Sequence, residues 1–520
     1  MKKYIVTAAL VMTLVLVHAP TVTADREVSV KINGVYVEFP DQQPIIVDSR
    51  TLVPVRGVFE QLGFGVYWEI ESPQTATLIN DYFTVHITIG SKTFTVNGRS
   101  YTLDVPAQLI GARTMLPIRA VLEAVGLVVD WDNEAWTVIV SGDATRPAYI
   151  TIRGEQFSTE LTELRLSWRD LTDEEIDPLR YMTKLTDLSL NGNQITDIAS
   201  LAGLHNLTSL GLGFNKISDI TPLVGVTNLT ALALGDNIIS DITPLAGLTN
   251  LTFLELRKNT ICDIAPLANL TNLLELDLNN NRISDITPLA GLTNLSRLCL
   301  DNNQISNVAP LAGLYNLTTL FLWQNQISDI TPLAGLTNLS ELFLNHNQIS
   351  NVAPLAELHD LTRLELSSNN INDIAPLAGL TNLSTLSLSI NRISDITAIA
   401  QLTNLTDLLI WGNRISNIAP LMGLHDLAGL LLGHNQISDI APLANLSNLE
   451  SLDLNSNQIS NITPLAGLRN LRHLVLNNNQ IVDTTPLADL SNLRWLNLSD
   501  NQITDWSPVS YVEYVIGRPR

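Results

Sequence analysis

From residue 185 onward the apolar positions recur in a pattern that belongs neither to a helix nor to a plain strand. Around Asn281 the fixed apolar residues are Leu276, Leu278, Ile283, Ile286, Leu289, Leu292 and Leu295. The Leu276-x-Leu278 portion alternates, which predicts a short strand with its leucines buried and the intervening residues facing out. The rest of the repeat, typified by SDITPLAGLTN, is too short for a full helix. Proline after Thr or Ala fixes one backbone angle there, so single helical turns are predicted. Strands then line one side and turns the other.

One asparagine indexes the period. It stands at Asn193, Asn215, Asn237, Asn259, Asn281, Asn303, Asn325, Asn347, Asn369, Asn391, Asn413, Asn435, Asn457, Asn479 and Asn501, an interval of 22 every time. These are fifteen turns without an insertion, and they match LxxLxLxxNxL, the leucine-rich-repeat signature. The asparagine comes where the strand turns, and its amide has the donors and acceptor needed by backbone groups that a buried turn leaves unpaired. The column is therefore a structural ladder. With strands about 4.8 Å apart, fourteen steps predict a concave sheet roughly 67 Å long. A single repeat cannot bury its own leucines, so the array from 185 to 504 needs caps. Residues 161–184, where Leu164 and Leu166 imitate a strand without the asparagine, and residues 505–520 are assigned that role.

Four residues after each asparagine lies a second column, with eleven aspartates and four asparagines. Stacked carboxylates repel, so something must hold them. A local turn is expected, in which each side chain accepts the backbone N–H two residues on, just before the proline. A calcium ladder fits poorly, because calcium wants six to eight oxygens and the adjacent Ser, Ile and Thr offer few.

Residues 25–142 have another texture and their own duplication. Arg50, Pro54, Arg56, Glu60, Gly63 and Trp68 recur 63 residues later as Arg113, Pro117, Arg119, Glu123, Gly126 and Trp131. Two copies imply one pseudo-symmetric α+β domain, each with strands, a short helix after the proline (Val58 to Leu62, Val121 to Val125) and a strand bearing the tryptophan. The repeated Arg and Glu suit paired charges. Residues 143–160 are expected to join the two domains, although the ITI within them has strand character.

Composition narrows the function. The 520-residue chain carries a formal charge of −22, which argues against nucleic acid and anionic membranes as partners, since both need a basic face. Lys2 and Lys3, the apolar run IVTAALVMTLVLV and the small-residue site ending at Ala24 read as a signal peptide over residues 1–24, and no second run long enough to span a membrane follows. The protein is expected to be secreted or held at the cell surface or wall. The two cysteines, Cys262 and Cys299, differ by about seven residues in their place within the repeat, too far for a disulfide. Cys299 falls on the outward face of a strand. No GxSxG, HExxH, CxxC or P-loop motif occurs and the eight histidines are scattered, so neither catalysis, metal nor cofactor is expected. Many NLT and NLS triplets fit the glycosylation pattern, but the repeat itself accounts for their recurrence.

Candidate binding residues lie six, four, two and one positions before each asparagine, where the strands face out. Most are small or polar. Phe321, Trp323, Phe343 and His346 occupy two adjacent turns, and Leu409, Trp411, Leu431 and His434 another pair. Exposed aromatics on neighbouring strands have the composition of binding hot spots. A charged band containing Phe253, Glu255, Arg257, Lys258, Glu275, Asp277 and Arg297 lies nearer the N-terminal end. The plainer reading is drift on a tolerant surface, where single apolar residues are normal.

Perfect 22-residue repeats reading NQISDITPLAGLTNL resemble the internalins and related leucine-rich-repeat proteins of Gram-positive bacteria. The resemblance implies an α/β-type leucine-rich-repeat solenoid, with a parallel sheet on the concave face and short helical turns on the convex face. It also implies recognition of an extracellular protein, often a surface protein of another organism. No immunoglobulin-like domain or LPxTG-type sorting signal is evident after the repeats, so covalent wall attachment is not expected. The duplicated segment resembles the domain named after the N-terminus of copper amine oxidases, a stalk-like module of secreted proteins. Copper chemistry needs clustered histidines, and His86 is the only one in this segment. A monomeric protein-binding surface protein is the leading expectation. A binder of wall or extracellular glycan and a structural envelope spacer are the alternatives.

Overall fold

The computed structural model describes residues 27–518 apart from 70–73, 81, 143–146 and 148. The expected signal peptide lies outside the described residues. Contacts divide the chain between Leu161 and Thr162 into two units.

In the second unit the alternating L-x-L segments become three-residue strands whose central leucine is buried and whose flanking residues are mostly half-buried. They pair parallel and in register, leucine beside leucine, from Leu164↔Leu188 to Leu474↔Leu496. The sheet has seventeen strands: one from each of the fifteen repeats and one from each cap, Glu163–Arg165 and Tyr514–Ile516. Each turn returns through a short 3-10 segment such as Thr331–Gly335, with proline in its first two positions. The repeat leucines and isoleucines are almost wholly inaccessible. At about 2 kcal/mol per fully buried side chain, this stacking dominates the stability of the array.

The asparagine ladder is a chain of shared bonds. Asn325 Nδ2 donates to the carbonyls of Leu322 (3.1 Å) and Leu300 (3.0 Å), and its Oδ1 accepts from Ile305 N–H (3.0 Å). Asn347 in turn donates to the same Leu322 carbonyl at 2.9 Å. Each such carbonyl therefore serves two consecutive asparagines, and each asparagine ties its own turn to the one before. The aspartate column forms the expected local turns, as in Asp329 Oδ1 accepting Thr331 N–H at 2.9 Å and Asn351 Oδ1 accepting Ala353 N–H at 3.0 Å. Asparagine serves because the bond needs an acceptor and no charge.

Two further ladders explain the N-L-T and N-L-S triplets. The asparagine donates to a carbonyl of the preceding turn, as Asn338 does to Tyr315 at 2.8 Å, and the hydroxyl does likewise, as Ser340 does to Thr318 at 3.1 Å. Both are on the exposed side. A fifth regularity was not foreseen: the residue before every ladder asparagine has positive φ, and only Gly192 and Gly412 among the fifteen are glycine.

In the first unit the two copies of the duplicated motif meet through their own strands. Arg50–Pro54 pairs antiparallel with Arg113–Pro117, and the central pair, Leu116↔Val53, joins equivalent positions of the two copies. The ion pairs repeat as well: Arg50 with Asp104 and Arg113 with Asp41, then Arg56 with Glu60 and Arg119 with Glu123. All are exposed, so each contributes at most about 1 kcal/mol.

Two boundaries differ from expectation. The helices run Val55–Gln61 and Ile118–Ala124, starting three residues earlier than the sequence reading placed them. Pro54 and Pro117 stand as the caps themselves, and the helices stop before Gly63 and Gly126, whose φ values of 83° and 86° suit only glycine. The segment expected to be a joining stretch contains a hairpin, Tyr149–Ile152 with Glu155–Ser158, whose Ile150 and Ile152 are buried. It clusters with the first unit.

Candidate binding face of the repeat sheet

The in-register sheet turns residues 22 apart in sequence into neighbours, and this decides what the outward side chains do. Phe321 and Phe343 stack with ring centroids 4.4 Å apart and planes 7° from parallel. Arg297 from the preceding strand lies over Phe321 at 4.7 Å, and Arg363 from the following strand lies by Phe343 at 5.3 Å. Arg363 is held in turn by Glu365 at 2.8 Å. The two rings are therefore half-buried within a four-layer stack rather than exposed as the sequence reading had them. Trp323 is also half-buried, His346 is exposed at φ 54°, and Asn345 Oδ1 is buried on this face with no hydrogen-bond partner.

The second patch comes together too. Leu409 and Leu431 are register partners, and Trp411 meets His434 edge-on at 4.8 Å and 65°. Three strand steps separate Phe343 from Leu409, about 14 Å.

The charged band is an ion-pair network. Arg257 contacts Glu255 and lies 3.4 Å from Asp236, which Lys258 reaches at 3.1 Å. Beside it a cavity of about 290 Å³ is lined by Phe253, Glu255, Glu275, Asp277, Arg297 and Cys299, among others. Cys299 departs from expectation: although at an outward position it is only 6% exposed, and burial, with Asp277 nearby, pushes its thiol up to about 12. Both cysteines are free thiols. Burial likewise raises Asp277, and raises Asp301 to about 6 with Asp277 adding to the effect. Sequence reasoning missed a further cluster at the N-terminal end, where Trp168 packs on Phe214 at 5.4 Å and Arg257 approaches the same ring at 5.3 Å. Trp168 sits in the irregular cap, so the 22-residue register gave no signal for it.

The first unit offers a separate groove of about 740 Å³, with Phe39, Trp68, Arg56 and Arg113 in its lining. His86 faces outward and pairs with Thr77 at 3.1 Å.

A family model for paired leucine-rich repeats matches eight segments between residues 183 and 511, from 183–225 to 469–511. The chain belongs to the leucine-rich-repeat family. Residues 31–140 match the copper amine oxidase N-terminal domain. Among solved structures, a leucine-rich-repeat protein of Leptospira interrogans is 26% identical, with 68% of this chain and 96% of that chain covered and a TM-score of 0.63. The functional domain of internalin J from Listeria monocytogenes is 25% identical over 69% of this chain and 73% of that one, with a TM-score of 0.54. Internalin F of the same organism is 32% identical over 78% and 94%, with a TM-score of 0.40. No curated protein is significantly similar. The chain is thus an internalin-like leucine-rich-repeat protein with an N-terminal stalk-type domain, and its repeat array is a protein-binding scaffold. No helix among the described residues is long and apolar enough to cross a membrane.

Proposed function

We propose that this is an exported, non-enzymatic surface protein that recognises an extracellular protein through the outward face of its repeat sheet, acting as a monomer. The observation that carries this reading is the Arg297, Phe321, Phe343, Arg363 stack. Its side chains are ordered by one another before any partner arrives, and pre-ordered aromatic and arginine side chains lose less entropy on binding. The same stack weighs against a glycan at this place. A sugar needs an open ring face, whereas both faces of both rings are covered and edges remain. The stalk-type unit then serves to hold the repeats away from the surface.

Trp323→Ala with Phe343→Ala tests the reading. Binding to an extracellular protein found by parallel screening of cell-surface proteins and wall glycans should weaken by more than about 2 kcal/mol, with the melting profile retained. Selection of glycans alone, or unchanged affinity in the double variant, would remove this face from consideration.

A further inference from the structure

The charge on the binding face is unevenly spent. Counting the outward strand positions and the residue before each ladder asparagine, eleven carry carboxylates and four carry basic side chains. All four bases are engaged within the molecule. Arg257 and Lys258 serve Glu255 and Asp236, Arg297 lies over Phe321, and Arg363 serves Glu365 and Phe343.

Several carboxylates are not matched in this way. Glu275, Asp277 and Asp301 come from two adjoining repeats, and none of them makes an ion pair among the described residues. Asp301 is only 5% exposed, and the hydrogen bond it makes is to its own backbone amide. Arg257 and Arg297 act on Asp277, and Arg297 acts on Asp301, yet burial outweighs them and Asp277 raises Asp301 further. Glu275 and Asp277 line the cavity of about 290 Å³ together with Glu255, Arg257 and Arg297, so its lining carries one more carboxylate than guanidinium groups, and its Phe253 side offers an apolar wall. That combination suits a long side chain with an aliphatic stem and a cationic head.

Resting on the protein-binding reading above, we propose that the partner presents a basic segment, one of whose lysine or arginine side chains enters the cavity at Glu275 and Asp277, with the buried Asp301 close to Asp277. The neighbouring Phe321 and Trp323 then meet the apolar residues flanking it. Burial, which holds Asp277 and Asp301 above the usual carboxylate range, supports this assignment, because an arriving cation would relieve the penalty on both.

The probe is a displayed library of random dodecapeptides panned on the full chain at moderate salt. Selected peptides should be enriched in Lys and Arg. Their affinity should fall by roughly tenfold or more in Asp277→Asn with Asp301→Asn, and again when salt is raised to about 0.5 M. Glu275→Lys should act in the same direction, and because Glu275 is exposed it leaves the core untouched. Peptides that lose binding with Trp323→Ala, yet show no basic enrichment and ignore the three acidic-site changes, overturn the basic-partner proposal while the sheet-face reading stands. Peptides indifferent to all of these variants, or no enrichment at all, count against both.

Discussion

Replacing Asn325 by alanine tests whether the ladder holds the array together. The substitution removes three hydrogen bonds of 3.0–3.1 Å and a long one of 3.4 Å to the Trp323 carbonyl, which keeps Asn302 N–H as a donor, but their loss is not equal. The Leu322 carbonyl keeps Asn347 as a donor and the Leu300 carbonyl keeps Asn303. Only Ile305 N–H is left without a partner, and Ile305 is fully buried. An orphaned buried donor costs about 1–3 kcal/mol, and each lost bond to a still-satisfied carbonyl about 1 kcal/mol. The expected destabilisation is therefore about 3–5 kcal/mol. Asn325→Asp should be at least as harmful: it keeps the acceptor for Ile305 but turns a carboxylate oxygen toward two carbonyls.

A matched control lies in the exposed ladder. Asn338 makes one bond, to the Tyr315 carbonyl, and water can replace it, so Asn338→Ala should cost less than about 1 kcal/mol. Long repeat arrays need not unfold as one unit. The comparison is therefore best read from amide hydrogen exchange in the turns containing Leu300, Ile305 and Leu322, together with urea unfolding. If Asn325→Ala and Asn338→Ala lower protection equally, the bookkeeping of orphaned groups is wrong and the buried column merely fills space.

Three more outcomes follow from single sites. Ile390, a half-exposed β-branched residue at φ 54°, is strained where three other repeats use asparagine (Asn280, Asn302 and Asn478), so Ile390→Asn should stabilise by about 1 kcal/mol in thermal unfolding; a loss of stability would contradict the strain. Native protein treated with an alkylating agent near neutral pH should be modified at exposed Cys262 and not at Cys299, and rapid uptake of a second equivalent before unfolding would count against the burial. Asp301, raised in the folded state to about 6 from 3.8, binds its proton earlier when folded, so its ionisation opposes folding: the contribution improves as pH falls from about 6 toward 3.8. Asp301→Asn should accordingly raise the melting temperature at pH 7.5 and give no gain near pH 4, whereas an equal gain at both would show that charge is not the cause.

What was legible in the sequence is what the period alone determines. The 22-residue interval locates the strand of each of the fifteen repeats, every ladder asparagine and every Asp or Asn turn, because each depends on residues at fixed offsets within one repeat or its neighbour. The left-handed column was hidden for a different reason. Phe214, Lys258, Gln324 and Ile390 all stand there, so side-chain identity dilutes the signal that Gly192, Gly412, Asn280 and Asn302 would otherwise give.

The site was half legible. Outward positions could be enumerated, but exposure could not, since each side chain is covered by those on the adjacent strands. Arg297 stands six residues before its asparagine and Phe321 four before the next, an offset that looks unrelated in one dimension. On the sheet the side chains meet. Cys299 lies between its register partners Asp277 and Phe321, and the same diagonal relation sets Asp277 close to Asp301. Binding on this face is therefore determined by groups of three or four repeats acting together. A change at one outward residue must alter its neighbours' exposure and charge before it alters any contact with a partner.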